Sequence, residues 1–593
     1  MNDTKTSPLS RHPHRLRWLD MVLLAIPCVA VLMVPFYNRV EPELWGIPFF
    51  TGGSCCGCRS AVFSWARFIG ACAVAAADPD MHFWTIGVFL ACFALVTWIG
   101  LRASRWQSGD LRELHEWGLG GRRFGRWITW FLIGGDLYTA YTFIAVPALV
   151  FGAGALGFFA LPYTVLVYPL VFAILPRLWA VAHRHGFVTA ADFVAGRYDS
   201  PLLAFAVAAT GFIATMPYIA LQLVGIQVVI AALGLSTGPG WLGEIPLLVA
   251  FAVLAVFTYL SGLRAPAMIA VVKDVLVYIT IFALIVVLPM KLGGFAAIFA
   301  KVPVDHLLLP AAHGGQLGLQ SFYVTLALGS AMALMFYPHA TTAVLSARGT
   351  EVLRWNWVFL PAYSLVLGLV ALLGFMAQAA DLPKLPDLAP YFQSFGPQFA
   401  MPGLLLHFFP QWFAGLGLAA VAIGALVPAS IMSIAAANLF TRNLYKAYLR
   451  PQCSPHEETQ MAKWMSLVVK FGALLFILFL PLQFAIQLQL MGGILILQTL
   501  PAIAGGLYTR WFDPRALLVG WLVGMGWGIW ALSLTGFQKS VYTLHLGNWS
   551  IPAYVGIYAL LLNLGLAVLV TLGLRLAGRA HRRDATKMPD YLG

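Results

Sequence analysis

Four ionisable side chains stand inside long apolar runs of this chain: Asp136, Lys273, Asp274 and Lys470. A charge at bilayer depth costs several kcal/mol and marks a functional candidate by default. Such groups can bind an ion or a proton, pair with an opposite charge, or snorkel to an interface along a long stem. Snorkelling is open to Lys273 and Lys470, but not to the short side chain of Asp136. The stretch around Asp136 is itself unusual, reading FLIGGDLYTAYTFIAVPALVFGAGA over 131–155. Gly134 and Gly135 precede the acid and Pro147 follows it; both residue types weaken a helix. Tyr138, Thr139, Tyr141 and Thr142 cluster between them. A polar, interrupted span is tolerated only where it lines a cavity. FYPHATT at 336–342, with Tyr337, Pro338 and His339, forms a second interruption that pairs with the first, a simple proline kink being the alternative.

These residues need elements to position them. Of the 593 residues, 60% are hydrophobic and 10% charged, against about 25% charged in an average soluble protein. That excludes a soluble globular protein, a disordered chain and a collagen, and leaves an all-α polytopic membrane protein. Stretches of about 20 apolar residues, the length of a span, recur along the chain. The expected spans are 19–37, 84–101, 127–155, 161–182, 202–232, 244–261, 267–290, 320–345, 356–380, 412–438, 464–482, 485–509, 515–535 and 551–575, fourteen in all. No small-residue cleavage site follows the first, so it is not read as a secretory signal. The linkers are short, and no soluble domain is expected.

A net charge of +13 would point to nucleic acid in a soluble protein. Here the basic residues mark cytoplasmic loops instead, and no nucleic-acid partner is expected. One set of alternate loops plus the tail carries 23 of them, including Arg122, Arg123, Arg197, Arg264, Arg348, Arg442 and Arg510; the intervening loops hold 4. This places the first set and both termini in the cytoplasm, with the bilayer as the chain's surroundings.

The expected organisation is an N-terminal segment over 1–50 with one span, an irregular linker or junction over 51–83, a core over 84–578 and a cytoplasmic tail over 579–593. Residues 51–80 are rich in Gly, Ala and Cys and read as an external linker or a degenerate span. The Cys55, Cys56, Cys58 cluster has no nearby His or fourth Cys, so no metal site is expected. GLGGRRFG at 118–125 follows no strand and precedes a span, so it is not a nucleotide loop. His183 and His185 read as a solvated loop, and no H-E-x-x-H occurs. With no catalytic residues to name, the chain is not read as an enzyme.

Two broken spans separated by four intact ones point to two inverted five-helix halves with a site at the midplane between the breaks. Half-helix N-termini there would offer N–H groups to an anion such as a carboxylate. Tyr138, Thr139, Tyr141, Thr142, Tyr337 and His339 are the expected substrate-binding residues; tyrosines that merely pack are the alternative for each. Ala140, Ala145 and Ala333 leave room for a short alkyl tail, and no Arg near the breaks would hold a second acid group.

Five segments resemble the sodium:solute symporter family in order. They are EWGLGGRRFGRWITWFLIGGDLYTAYTF at 116–143, HGFVTAADFVAGRYDSP at 185–201, SGLRAPAMIAVVKDVLVY at 261–278, ALVPASIMSIAAANLFTRNLYKAYL at 425–449 and LQLMGGILILQTLPAIAGGLYTRWF at 488–512. The resemblance spans roughly 84–575. It implies the leucine-transporter fold, a bacterial inner (plasma) membrane location and alternating access. The Asp-Leu-Tyr-Thr and Val-Lys-Asp versions look most like the family's monocarboxylate permeases, which implies import of a small organic anion of the lactate, pyruvate or propionate type. The alternatives are a sodium-coupled symporter of another small anion or amino acid and, in a different class, a membrane sensor. Residues 18–50 resemble the start of a small two-span membrane protein, so a fusion or shifted reading frame is expected between Phe50 and Met81; resequencing that junction tests it.

The family resemblance also implies a sodium site built from carbonyls of the first core helix and a hydroxyl pair on the eighth. The pair falls here on Val427 and Pro428, neither of which can ligate a hard cation; Ser430 and Ser433 are displaced from it. The coupling ion is therefore expected to be H+ ahead of Na+, with Asp136, Lys273 and Asp274 as the coupling residues and no other cofactor. Neighbours on a helix do not face each other, so Lys273 and Asp274 are expected to find partners elsewhere, with Asp136 and Lys470 the candidates.

Overall fold

The computed structural model describes residues 83–106, 109–235, 245–310, 318–479, 485–579 and 584–591, with Val29, Leu32, Met33 and Val34. The expected span 19–37, apart from those four residues, and the junction 51–80 lie outside the described residues.

From residue 83 onward, every expected span has a helix over it. In chain order the first are α1 (Phe83–Arg102), α2 (Leu114–Leu119), α3 (Arg126–Gly135), α4 (Val146–Ala153), α5 (Ala160–His185), α6 (Ala190–Tyr198), α7 (Pro201–Ala232), α8 (Ile245–Ser261) and α9 (Arg264–Leu292). The second half continues with α10 (Gly318–Leu334), α11 (Pro338–Leu345), α12 (Thr350–Phe359), α13 (Pro361–Ala379), α14 (Gln411–Phe440), α15 (Pro455–Phe479), α16 (Ile486–Ile496), α17 (Leu500–Tyr508), α18 (Pro514–Ser533) and α19 (Val555–Leu576). Of the fourteen expected spans, the first lies, but for four residues, outside the described residues, and the other thirteen are met by fewer crossings. Among the described residues ten helical runs are long and apolar enough to cross a membrane, or eleven when α10 and α11, bent by 45°, count as one. The shortfall has a physical cause. The run Tyr141–His185 is helical throughout and holds two expected spans, and Leu247–Ser261 is shorter than a full crossing.

Helix α14 forms the axis of the molecule. Its Gly- and Ala-rich sequence lets neighbouring backbones come close. A Cβ on Gly415 would stand 2.3 Å from the Thr85 carbonyl oxygen of α1, and the Thr85 hydroxyl donates to Gln411 O at 3.2 Å. A hairpin, β1 (Val541–Leu546) with β2 (Trp549–Tyr554), precedes α19; the expected span 551–575 had absorbed its second strand. The Tyr554 hydroxyl at its end donates to Leu490 O at 2.6 Å.

The Arg-rich loops gather on one side, as the charge count required. Arg122 donates to Phe187 O at 2.6 Å, Phe124 bridges Ala347, and Thr459 donates to Arg112 O at 2.7 Å. Arg442 and Lys446 both pair with Glu458. The segment 584–591 closes the same side. Asp584 meets Arg197 at 3.0 Å and Arg510 at 3.1 Å, while Asp590 meets His185 at 2.8 Å and Arg184 at 3.3 Å. His183 and His185 lie in the last turn of helix α5 rather than in a loop, and both are exposed to solvent.

Beneath these loops Glu116, 4% exposed, is gripped by Arg264, 0% exposed, and by Arg123 at 2.8 Å. Gly262 holds the turn that delivers Arg264. Its φ is +56°, and a Cβ there would stand 2.2 Å from Trp117 O, the atom that accepts from Leu263 N at 2.9 Å. Gly262→Ala is expected to cost at least about 2 kcal/mol from the left-handed backbone and the clash, read as a lower melting temperature of the purified protein.

Candidate functional site

The first break lies between α3 and α4. Residues 136–139 leave the helix, and the chain resumes through a π-helical turn over Tyr141–Ala145, a form concentrated at functional sites. The two glycines before it are packing requirements. A Cβ on Gly134 would stand 2.2 Å from the Tyr363 ring, and one on Gly135 would stand 2.7 Å from Lys273 Nζ. The second break lies at Tyr337, whose extended backbone separates α10 from α11, with Pro338 opening the new helix.

Two clusters meet at the first break. On one side Lys273 Nζ donates to Gly135 O at 2.6 Å and to Tyr138 O at 3.1 Å, and lies 3.2 Å from Asp274 Oδ1. The Tyr363 hydroxyl donates to Asp274 Oδ2 at 2.6 Å, and the Tyr138 hydroxyl to Tyr363 O at 3.1 Å. Lys273, Asp274, Tyr138 and Tyr363 are all fully buried. Lys273 and Asp274 each find a partner elsewhere, the two carbonyls and Tyr363, and they also meet each other. A long lysine stem can fold back along its helix to reach the carboxylate beside it. Lys470 is not their partner. It is also fully buried, without a hydrogen bond or ion pair among the described residues, and it does not snorkel.

On the other side, Asp136 is 6% exposed with neither carboxylate oxygen hydrogen-bonded. Lys273, Asp274 and, from α7, Tyr218 lie within its electrostatic reach. Tyr218 packs tilted against Tyr337 at 5.1 Å and edge-on against His339 at 5.4 Å between ring centres, so α7 links the two breaks. His339, fully buried, has no hydrogen bond on either ring nitrogen, and the Tyr141 hydroxyl has none either. The structure thus gathers Asp136, Tyr141, Tyr337 and His339 around Tyr218 and turns Tyr138 towards α9 and α13. The Thr142 hydroxyl donates to Leu137 O, Thr139 Oγ1 accepts from Tyr141 N at 3.0 Å, and Tyr337 donates to Gln489 O at 2.9 Å. Gln222 accepts from Ala140 N at 3.0 Å. Two N–H groups expected to face an anion are therefore held by side chains, which satisfies the broken backbone at membrane depth. A cavity lined by Thr189, Gly211, Phe336, Pro338, Thr341 and Thr499 runs from α11 towards the Arg-rich side.

Sequence reading missed Tyr218, Gln222 and Tyr363. Each lies in an otherwise regular helix, where nothing in the local pattern separates a site residue from a packing one.

Two broken helices, packed on an axial helix and carrying buried ionisable groups at their breaks, define a multi-pass membrane transporter. The sodium:solute symporter family model matches residues 117–524, and the chain belongs to that family. It is 52% identical over 496 residues to a monocarboxylate transport permease protein of Rhizobium johnstonii, covering 83% of this chain and 97% of that one. It is 34% identical to the uncharacterized symporter YodF of Bacillus subtilis, covering 77% and 89% of the two chains. Its fold is similar to that of a Na+-coupled sialic acid symporter solved in a substrate-bound outward-open state, with a TM-score of 0.65 at 15% identity, covering 83% and 98%.

Proposed function

We propose that this protein imports short monocarboxylates by alternating access, coupled to protons, with the Arg-rich side and both termini in the cytoplasm of a bacterial inner membrane. The observation that carries the reading is Asp136, a buried acid without a hydrogen-bond donor, set between the two breaks. A bare carboxylate there costs several kcal/mol, and a proton removes that charge. The protonated group also becomes an O–H donor to a substrate carboxylate, so proton and anion favour each other's binding. Tyr141 and His339 add two further unpartnered polar groups to the same cluster. The buried Arg264 and Arg197 are committed to Glu116 and Asp584, so among the described residues neither is left for a second acid group. The 52% identical relative's name agrees with a monocarboxylate.

Labelled lactate uptake into vesicles, under an imposed pH or sodium gradient, tests the proposal. A tenfold excess of unlabelled pyruvate, lactate or propionate is expected to remove most of the uptake, while succinate, citrate and glucose leave it intact. Strong competition by succinate, or none by any monocarboxylate, overturns the substrate assignment.

A further inference from the structure

The family's name implies a resident sodium, and the residues at the first break do not fit one. Three oxygens converge there: Gly135 O, Tyr138 O and Asp274 Oδ1, at 2.6, 3.1 and 3.2 Å from Lys273 Nζ. The ammonium donates to the two carbonyls and faces Asp274 Oδ1 as an ion pair, so one lysine stands among all three oxygens. The wall opposite has no side-chain oxygen where the family resemblance places its hydroxyl pair. A Cβ on Gly424 of α14 would lie 3.9 Å from Tyr138 O, and the next turn of that helix presents Val427 and Pro428, both buried. The nearby hydroxyls turn back along their own helix: Ser430 donates to Leu426 O at 3.1 Å and Ser433 to Ser430 O at 2.8 Å. Gly135 is the accommodation for this arrangement, since a side chain there would displace the ammonium.

We propose that Lys273 is a tethered cation that fills the cation position at the first break, so that this position takes no sodium and substrate binding does not require one there. The ammonium ties the broken helix to α9 through Gly135 O and Tyr138 O, the service a bound ion would perform. Removing the side chain beyond Cβ leaves three inward-facing oxygens around a space the size of an ammonium, a site open to a small monovalent cation.

The functional part of this inference rests on the transporter reading; its structural part does not, and the test separates them. Melting temperatures of the purified full-length protein in nanodiscs are compared in choline chloride, sodium chloride and methylammonium chloride. The wild type is expected to melt at the same temperature in all three. Lys273→Ala is expected to melt lower in choline and to gain roughly 5 °C at saturating sodium or methylammonium. Lys273→Met, which keeps the space filled without charge, is expected to show no cation response. If Lys273→Ala does not fold, the wild-type and Lys273→Met melts, with the initial rate of wild-type lactate uptake at a fixed pH gradient in choline and in sodium, still decide. Equal wild-type melts and rates support the inference. A saturable sodium response of the wild type, or a folded Lys273→Ala indifferent to every cation, overturns it. A wild type that takes up no monocarboxylate in either salt, yet shows the expected melting pattern, removes the transport reading and leaves the tethered cation standing.

Discussion

Asp136→Asn is expected to abolish accumulation of substrate against its gradient. One coupled proton supports about tenfold accumulation per unit of pH gradient; with no titratable group the ratio falls to about one. Asparagine keeps the shape of the side chain and one donor, so the breaks stay folded and exchange of labelled for unlabelled substrate persists in part. That split separates a proton carrier from a packing residue, whose loss would lower accumulation and exchange together. The measurement is lactate accumulation and counterflow in the same vesicles, with Asp136→Glu as the conservative control. An Asn variant that still accumulates substrate removes Asp136 from the coupling role.

Arg264→Met is expected to remove most of the folded protein. Arg264 and Glu116 are buried together, and the remaining partners of Glu116, Arg123 and His115, have side chains 48% and 46% exposed to solvent. Truncating one member of a buried ion pair typically costs about 3–5 kcal/mol, because the other charge stays behind unpaired. Much of that cost is recovered when both members become neutral and similar in volume. Glu116→Gln with Arg264→Met is therefore expected to be markedly more stable than Arg264→Met alone. Size-exclusion profiles and thermal melts of the three proteins check this; a double variant no better than the single one would mean the cluster acts through shape rather than charge.

The spans and the first break were legible because membrane burial imposes long apolar runs, and because Gly134, Gly135 and Pro147 interrupt one of them. The common face of the Arg-bearing loops was legible from the alternation of basic residues along the chain. What the pattern could not carry was direction around a helix. Tyr138 and Tyr141 stand three residues apart on the same broken segment, yet one faces Tyr363 and the other Tyr163, a difference set by tertiary packing. The Lys273–Asp274 pair was hidden by the rule that adjacent helical residues diverge, which holds for the bonds leaving the backbone and not for the tip of a four-carbon stem. The hairpin had a signal that went unread. Gly547-Asn548 separates two six-residue strands, and Gly547 takes φ +60°, the two-residue connection such hairpins favour.

The segment 584–591 works as a clasp. It joins Asp584 to Arg197 and Asp590 to His185 and Arg184, contacts between residues about 400 positions apart. Two of its basic partners, Arg184 and Arg510, have side chains 57% and 51% exposed, and ion pairs with an exposed member weaken as salt rises. High ionic strength is therefore expected to loosen this clasp and to open the ends of α5 and α6 to a protease added from that side.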